Sequence, residues 1–419
     1  MLDIKFIREN PGIVKEAIKN KGIALDLNAL LKADKELAAL RQRGQDMATE
    51  KNRLTLEIKA AADKAPLKEK ARLLGERQGK INKKLKDTEL ALAEMMALTP
   101  QIPAPNAPIG LTDADNTVLR QVGKKPDFGF EPLDHVDLIQ RNNWGEFGKI
   151  TNVCGTRTFA LKGSLLRYEF ALLQYALDKL AQKGFTTISV PSLAMEDAFF
   201  GSGHFPGDKE NMYFLPKDGQ YLSGTCEIVL NSLHCGEILT EARLPILYAG
   251  FSPCFRREAG SAGRDARGLY RVHQFNKVEQ FVICRNDPEE SAKWHAFLLA
   301  GAEEILAGLE LPYRVVECCT GDMGAGKVRM NDIECWRPAL QKYGETHSCS
   351  TLHDWQARRT NTRYRENLGG KVKFVHTLNN TALATPRIFV ALLENHQTRD
   401  ARVRIPKAIR PFMGDAEFL

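Results

Sequence analysis

Five arginines occur within the 27 residues of FRREAGSAGRDARGLYRVHQFNKVEQF, which runs from Phe255 to Phe281. They are Arg256, Arg257, Arg264, Arg267 and Arg271. Guanidinium groups repel one another, so arginines that lie together usually share an anion, and their forked N–H groups fit phosphate and carboxylate oxygens in pairs. The stretch therefore predicts a binding site for a phosphate- or carboxylate-bearing ligand.

The residues around these arginines predict two strands joined by a glycine-rich loop. The first strand is expected to end in RRE, with Arg256 and Glu258 on one face, and the return strand is expected to carry Arg271 and Phe275. A cation beside a carboxylate suits a nucleotide, because the cation binds the α-phosphate and the carboxylate accepts from the adenine amine. Phe275 could then stack on the base. The alternative is a surface hairpin with ordinary ion pairs.

A second glycine-rich stretch resembles a phosphate-binding loop only in part. GDMGAGK, from Gly321 to Lys327, matches G-x-x-x-x-G-K, but Val328 follows where a Ser or Thr hydroxyl would bind magnesium. The next residues, VRMNDIECW, predict a strand instead of the required helix. We therefore interpret the stretch as a glycine-rich connection.

The segment ETHSCSTLHDW contains His347 and Cys349, which allow a cysteine-hydrolase interpretation. Proximity in sequence is weak support for a thiol–imidazole pair. Glu345 and Ser348 in the same segment offer two oxygens that could hold a magnesium ion bridging phosphates.

Length and composition predict a multidomain protein of the cytoplasm. The 419 residues exceed one ordinary core, 43% are hydrophobic and 26% are charged. We find no apolar run of about 18 residues that could span a bilayer, and no apolar signal sequence follows the charged N-terminus. The net charge of +7 is compatible with a polyanionic partner. The nine cysteines have no zinc-ribbon spacing, which predicts reduced and mostly buried thiols.

Residues 30 to 98 predict an antiparallel helical hairpin. Leu40, Met47 and Leu54 recur every seven residues, as do Leu67 and Leu74 after a break near Pro66. Between residues 32 and 94 there are 16 Lys and Arg against 11 Asp and Glu. This excess is compatible with an ordinary solvated coiled coil or with an arm that reaches a nucleic-acid backbone.

The rest of the chain predicts a separate α+β domain. TPQIPAPNAPIG, residues 99 to 110, contains four prolines and is typical of a semi-rigid linker. From residue 111 to 419, a long helix (Leu165 to Lys183) precedes FTTISVPSLA, and strand-like runs recur at ILYAGFSPCFRR, HQFNKVEQFVIC, YRVVECC and VKFVHTL. This order favours a largely antiparallel sheet with flanking helices and no Rossmann-type nucleotide turn.

Taken together, these motifs resemble those of a bacterial-type seryl-tRNA synthetase, in class II of the aminoacyl-tRNA synthetases. The arginine-rich stretch is similar to motif 2, and TLNNTALATPRIFVALLENHQ, residues 377 to 397, is similar to motif 3. The long helix with FTTISVPSLA resembles motif 1, which forms the dimer interface in that family. THSCSTLHDWQARR and the triplet TCE at residues 225 to 227 are further family marks, and the resemblance covers essentially the whole length.

The resemblance implies a site for ATP and serine. Arg256 would bridge the α-phosphate and the serine carboxylate, Arg387 would hold the γ-phosphate, and these two with Glu258 are the implied catalytic residues. The implied ATP-binding residues are Arg256, Arg257, Glu258, Val272, Phe275, Glu345, Thr346, His347, Ser348 and Arg387. The implied serine-binding residues are Thr225, Cys226, Glu227, Arg256, Glu279 and Thr381. Glu345 and Ser348 are the implied Mg²⁺ ligands, and no zinc is expected.

The activity implied by the resemblance is ATP-dependent ligation of serine to tRNA(Ser). Serine would form seryl-adenylate with release of pyrophosphate and then pass to the 3′ end of the tRNA, which the helical hairpin would bind. A homodimer is also implied. Two alternatives are a related ligase with a non-tRNA acceptor and an inactive tRNA-binding paralogue. The chain departs from the common family pattern at Cys226, Arg257 and Asn380, and Asn380 directly precedes the implied serine contact Thr381.

Overall fold

The structure, a computed structural model, describes residues 1–259, 267–367 and 369–419. Arg264 of the arginine-rich stretch lies outside the described residues. The chain separates into two compact units, Met1–Pro100 and Gln101–Leu419. No helix in the described ranges is long and apolar enough to cross a membrane.

The described residues form twelve α-helices and sixteen strands. The helices are α1 (Ile4–Glu9), α2 (Pro11–Asn20), α3 (Leu27–Ala60), α4 (Ala65–Leu98), α5 (His135–Arg141), α6 (Gly148–Cys154), α7 (Ser164–Gln182), α8 (Glu196–Ser202), α9 (Glu227–Ser232), α10 (Pro288–Gly308), α11 (Ala357–Thr360) and α12 (Thr385–Asn395). The strands are β1 (Thr117–Val122), β2 (Gly145–Glu146), β3 (Ala160–Leu161), β4 (Thr186–Ser189), β5 (Leu193–Met195), β6 (Tyr213–Leu215), β7 (Gln220–Leu222), β8 (Ile238–Thr240), β9 (Ile246–Phe255), β10 (Gln274–Cys284), β11 (Tyr313–Glu317), β12 (Arg329–Arg337), β13 (Lys342–His353), β14 (Arg363–Arg365), β15 (Val372–Phe374) and β16 (His376–Ala384).

The first unit contains the predicted helical hairpin, α3 and α4. Asp26 caps α3 by accepting from the backbone N–H groups of residues 28 and 29, and Pro66 lies in the first turn of α4, where its missing N–H is tolerated. Each helix has 34 residues and is about 50 Å long at 1.5 Å per residue. One ion pair joins the first third of α3 to the second half of α4 (Lys84–Glu36, 2.6 Å). Another joins the last third of α3 to the first turns of α4 (Lys70–Glu50, 3.7 Å), so the two helices are antiparallel.

The second unit is organised by an eight-stranded sheet in the order β1-β11-β12-β13-β16-β10-β9-β4. Every neighbouring pair is antiparallel except β4 and β9, so the predicted α+β fold with a largely antiparallel sheet is confirmed. Three amphipathic or apolar helices, α7, α10 and α12, pack on this sheet and bury residues such as Leu172, Leu298 and Phe389. Their burial fixes the strands that carry the candidate site.

Three details of the strand predictions are wrong. The pairing of β9 with β10 ends at Phe255 and Gln274, so Arg256 and Arg271 lie outside the strands. Glu258 has φ +53°, which ends the strand alternation that was expected to align it with Arg256. The run VKFVHTL forms two strands in different sheets: β15 pairs with β14, and β16 joins the eight-stranded sheet. Between them, Val375 donates its N–H to the Thr362 carbonyl oxygen at 3.3 Å. The segment after Lys327 is strand β12, as predicted, which argues against a phosphate-binding loop.

Candidate active site

An open cleft of about 500 Å³ lies where β9, β10, β13, β16 and the start of α12 meet. Most of the predicted ATP site lines this cleft, although its members are up to 131 residues apart in the chain. The lining residues are Arg256, Glu258, Tyr270, Val272, Phe275, Lys277, Glu345, Thr346, Thr381, Ala384, Pro386 and Arg387. This lining combines cations, carboxylates and aromatic rings, which suits a charged small-molecule ligand with a ring system.

Two arginines enter the cleft from different elements. Arg256 follows β9, its Nε donates to the Gly224 carbonyl oxygen at 3.2 Å, and its guanidinium carbon lies 5.4 Å from the centre of the Phe275 ring. Arg387 lies in the first turn of α12, with Nη1 3.0 Å from Glu345 Oε2. Burial disfavours the charge of Arg387, but the Glu345 carboxylate outweighs it and raises the pKa of the guanidinium. Both arginines are thus fixed cations available to an anion.

Glu258 is positioned by its left-handed backbone and not by strand alternation. It lines the cleft, and its Oε2 lies 3.4 Å from Arg271 Nη1. The carboxylate side chain is 12% exposed. This is a place where a carboxylate could accept from a ligand amine, as the sequence predicted, while Arg271 balances its charge.

A β-bulge places the predicted magnesium ligands on one face of the sheet. Asp332 and Glu334 are two residues apart on β12 and so share a face; their partners on β13 are Ser348 and Glu345. The register shifts at Thr346, which has no partner of its own on β12. Glu345 and Ser348 are three residues apart and would point to opposite faces of a regular strand. The bulge brings them to the same one.

Asp332, which the sequence analysis missed, is a third oxygen-bearing residue on this face. It is 6% exposed, it interacts with the Ser348 hydroxyl, and its Oδ1 has no hydrogen-bond partner among the described residues. Burial raises the pKa of Asp332 well above its ordinary value, and the nearby Glu345 raises it further. The neighbouring Arg387 guanidinium lowers the pKa of Glu345 below its ordinary value. The oxygen-only donor set of Asp332, Glu345 and Ser348 fits a hard divalent cation.

The predicted serine-binding carboxylates lie in a buried pocket beside the cleft. Glu279 of β10 is opposite Thr381 of β16, so the two side chains predicted to meet a hydroxyl are cross-strand neighbours. Glu227, at the start of α9, accepts hydrogen bonds from Gln356 at 2.7 Å and Asn379 at 2.9 Å. Burial raises the pKa of both Glu227 and Glu279.

Lys277 also belongs to this pocket and was missed by the sequence analysis. Its Nζ donates to Thr225 Oγ1 at 2.6 Å and forms an ion pair with Glu279 Oε2. The residue is only 5% exposed, which is rare for lysine. The sequence could have indicated Lys277, because it lies two residues before Glu279 and therefore on the same face of the strand.

Three members of the predicted site, Cys226, Arg257 and His347, direct their side chains toward other protein groups. The Cys226 thiol contacts Ser252 Oγ at 3.1 Å and the Gly250 carbonyl oxygen at 3.3 Å, inside a core cluster. Arg257 donates from Nη1 to the Glu210 carbonyl oxygen at 3.3 Å. His347 is 1% exposed and lies 3.1 Å from the Ala382 carbonyl oxygen. The buried side chains of Cys226 and His347 are thus occupied by protein partners, whereas that of Arg257 is exposed.

The cysteine-hydrolase interpretation is not supported by the geometry. Cys349 is fully buried, and its Sγ lies 3.8 Å from His295 Nδ1, not from His347. Burial raises the pKa of the Cys349 thiol well above its usual range, which opposes formation of a nucleophilic thiolate. Burial also lowers the pKa of His347 to about 4.

Asn380, where the sequence differs from the common family pattern, does not disturb the pocket. Its Nδ2 donates to the Leu298 carbonyl oxygen of α10 at 2.8 Å, on the side of the sheet away from Thr381. Thr381 still lines the cleft. The asparagine is therefore accommodated as an anchor between β16 and α10.

Two family models match the chain. Residues 1–103 match the seryl-tRNA synthetase N-terminal domain, and residues 215–396 match the tRNA synthetase class II core domain (G, H, P, S and T). The first match covers the helical hairpin, and the second covers the strands that carry the cleft.

Full-length relatives agree with these matches. The chain is 51% identical to a serine–tRNA ligase of Deinococcus radiodurans, over 100% of this chain and 99% of the relative. It is similar to the crystal structure of a Pyrococcus horikoshii seryl-tRNA synthetase complexed with ATP (TM-score 0.91, 36% identity, 100% and 99% covered). It is also similar to a cytoplasmic serine–tRNA ligase of Naegleria fowleri in complex with AMP (TM-score 0.86, 28% identity, 100% and 98% covered). Because a full-length relative is more than 50% identical and both family models match, the chain belongs to the seryl-tRNA synthetase family.

Proposed function

We propose that this protein is an ATP-dependent serine–tRNA ligase, which forms seryl-adenylate and transfers serine to the 3′ end of tRNA(Ser). The observation that carries the proposal is the convergence, in one cleft, of two fixed arginines with a pocket of buried carboxylates. The arginines suit the phosphates of ATP, and the carboxylates suit the ammonium and hydroxyl groups of serine. The names of the relatives and the nucleotides bound to the solved structures support the same assignment.

The activation step needs positioning and charge neutralisation more than covalent chemistry. The serine carboxylate attacks the α-phosphorus, the bond to the β-phosphate oxygen breaks, and pyrophosphate leaves. Arg256 is the bridge between the serine carboxylate and the α-phosphate, and Arg387 holds the leaving phosphates. Glu258 and the backbone of Val272 hold adenine, with Phe275 against the ring. Such fixed donors stabilise the transition state because they need no reorganisation during reaction.

In the second step, the tRNA 3′-terminal hydroxyl attacks the adenylate carbonyl carbon, and AMP leaves. This step requires no nucleophilic side chain. The buried, high-pKa thiols of Cys226 and Cys349 are consistent with that.

The cation that accompanies ATP is Mg²⁺ in this proposal, held by Glu345 and Ser348. The fit rests on the bulge that aligns their oxygens and on the open Oδ1 of the neighbouring Asp332. When bound, Mg²⁺ supplies positive charge to the phosphate oxygens. The chain's own part is to hold three oxygen-bearing side chains in one orientation through β12 and β13.

The helical hairpin is the proposed binding arm for tRNA(Ser). Its sixteen basic residues between 32 and 94 are all exposed, and ion pairs within the hairpin use five of them: Arg41, Arg53, Lys70, Arg72 and Lys84. The remaining basic side chains can neutralise phosphates of a nucleic-acid backbone. We keep residues 1–98, 99–110 and 111–419 as the proposed arm domain, linker and catalytic domain.

A homodimer is proposed through the surface around α7. Leu166 and Phe170 are one helical turn apart on α7 and are 40% and 61% exposed. Large apolar side chains that lie exposed on one face are typical of an interface. The cytoplasmic location stays a prediction from the sequence.

The decisive test is ATP–pyrophosphate exchange by the purified protein with each proteinogenic amino acid, in magnesium and without tRNA. Exchange that depends on serine is expected, followed by charging of serine tRNA. Exchange with another amino acid would refute the serine assignment, and exchange without tRNA charging would indicate another acceptor. A folded protein that catalyses no exchange but binds tRNA would be an inactive paralogue.

A further inference from the structure

Lys277 is a buried cation in the proposed serine pocket, beside Thr225 and Glu279. Its side chain is 6% exposed and that of Glu279 is 3% exposed, so the ion pair between them is almost fully removed from water. Nζ also donates to Thr225 Oγ1 at 2.6 Å. One ammonium group thus contacts two side chains of the proposed serine pocket from two different segments.

Lys277 is the cation in direct contact with Glu279. The other charged groups near this pair are Glu227 from α9, Arg256 after β9 and Lys327, whose charge acts on Glu227. Burial lowers the pKa of His204 to about 4 and raises the pKa of the thiols of Cys226, Cys254 and Cys349, so these groups stay neutral. Without Lys277, the buried Glu279 carboxylate would lose the positive charge that contacts it, which burial strongly disfavours.

We propose that Lys277 is a positioning residue for serine recognition: it keeps Glu279 ionised and fixes the Thr225 hydroxyl, so that the serine hydroxyl meets a charged acceptor. This inference rests on the proposed function. An ionised carboxylate only accepts hydrogen bonds, whereas a protonated one carries its own donor. Charge-assisted hydrogen bonds are also about twice as strong as neutral ones. Lys277 thereby raises the selectivity for serine over alanine, which has no hydroxyl to donate.

The electrostatics of the pair agree with this geometry. Burial lowers the affinity of Lys277 for its proton, but Glu279 opposes this and the pKa of Lys277 is raised. Burial raises the pKa of Glu279, and Lys277 is the largest opposing influence. Removal of the lysine charge should therefore raise the pKa of Glu279 further.

The test is the Lys277→Met substitution, read in serine-dependent ATP–pyrophosphate exchange. We expect the KM for serine to rise at least about ten-fold at neutral pH, while the KM for ATP stays within about two-fold. The rise in the KM for serine relative to wild type should become smaller as pH increases, because the pKa of Glu279 is raised further in the variant and the carboxylate that accepts from serine is restored only as the pH rises. The preference for serine over alanine should fall at neutral pH and recover as the pH rises.

Glu279→Gln supplies the matched control, because it removes the charge on which Lys277 is proposed to act. In that background Lys277→Met should change the KM for serine by no more than about two-fold. Lys277→Gln, which is polar and smaller, provides the same comparison if the methionine variant is poorly folded. Melting temperature is measured for every variant.

A pH-independent penalty, full additivity of the two substitutions or an equal rise in both KM values would overturn the inference. Each would show that Lys277 only fills space. The wild-type protein separates this failure from that of the proposed function, since a wild type without serine-dependent exchange would refute the function itself.

Discussion

Substitution of Arg387 should reduce catalysis much more than it reduces the stability of the fold. Replacement by methionine keeps most of the side-chain stem but removes the guanidinium that lies 3.0 Å from Glu345 Oε2. The Arg387 side chain is 19% exposed and that of Glu345 is 43% exposed, so solvent screens the pair. A fully buried pair would lose about 3–5 kcal/mol and an exposed one about 0–1 kcal/mol, which places this loss at about 1–2 kcal/mol. The melting temperature should fall by no more than about 8 °C.

The same substitution should reduce exchange far more. An electrostatic contact to the leaving phosphates that is made in the transition state is worth about 100- to 1,000-fold in rate. The assay is serine-dependent ATP–pyrophosphate exchange at saturating serine, with melting temperature measured on the same preparation. Arg387→Lys, the matched control, keeps the positive charge but loses the paired N–H donors of the guanidinium. Its exchange rate should lie between those of wild type and Arg387→Met. Exchange by the methionine variant within a few-fold of wild type would refute the proposed role.

Three further predictions concern other parts of the molecule. Deletion of residues 35–95 should leave exchange intact but strongly reduce tRNA affinity in filter binding, and undiminished affinity would exclude the arm as the main tRNA contact. Asp332→Asn should raise the melting temperature of the magnesium-free protein, and by more at pH 8 than at pH 4. Because the pKa of Asp332 is raised on folding, this carboxyl destabilises the folded protein as the pH rises above the pKa of the unfolded state. A difference in melting temperature that does not grow with pH would contradict this. Phe170→Glu should shift the sedimenting species from dimer to monomer, whereas Leu119→Glu, at a similarly exposed position on β1, should not.

The elements of the fold were largely predictable because they follow simple periodicities. Leu40, Leu54 and Leu74, which the heptad pattern selects, are buried between α3 and α4. Pro66 marked the start of α4, and the long helix expected from Leu165 to Lys183 is α7, Ser164–Gln182. Each of these patterns repeats apolar residues at the period of one secondary structure, so it can be recognised in a single sequence.

The site was less predictable where it depends on departures from regular structure. The alignment of Glu345 with Ser348 follows from one unpaired residue, Thr346, and nothing local in ETHS indicates a bulge. Glu258 reaches the cleft through a positive φ that sequence rarely reveals for glutamate. Asp332 was hidden because its neighbours on β12 resemble an ordinary strand. Long-range pairing of β12 with β13, which sequence periodicity does not encode, determines the positions of Asp332, Glu345 and Ser348, and a local backbone conformation determines that of Glu258.

The concentration of buried charge in the site suggests how serine selectivity and stability oppose each other. Glu227, Lys277 and Glu279 lie within hydrogen-bonding distance of protein partners, yet the pKa of each carboxylate is raised because burial still disfavours its charge. Apolar replacements could make the pocket more stable, as they often do for buried ion pairs. They would also remove the acceptors that distinguish a hydroxyl from a methyl group, a distinction that apolar pockets make poorly. The charged pocket is therefore best explained by recognition and not by folding, and ligand binding should recover part of the lost stability by mass action.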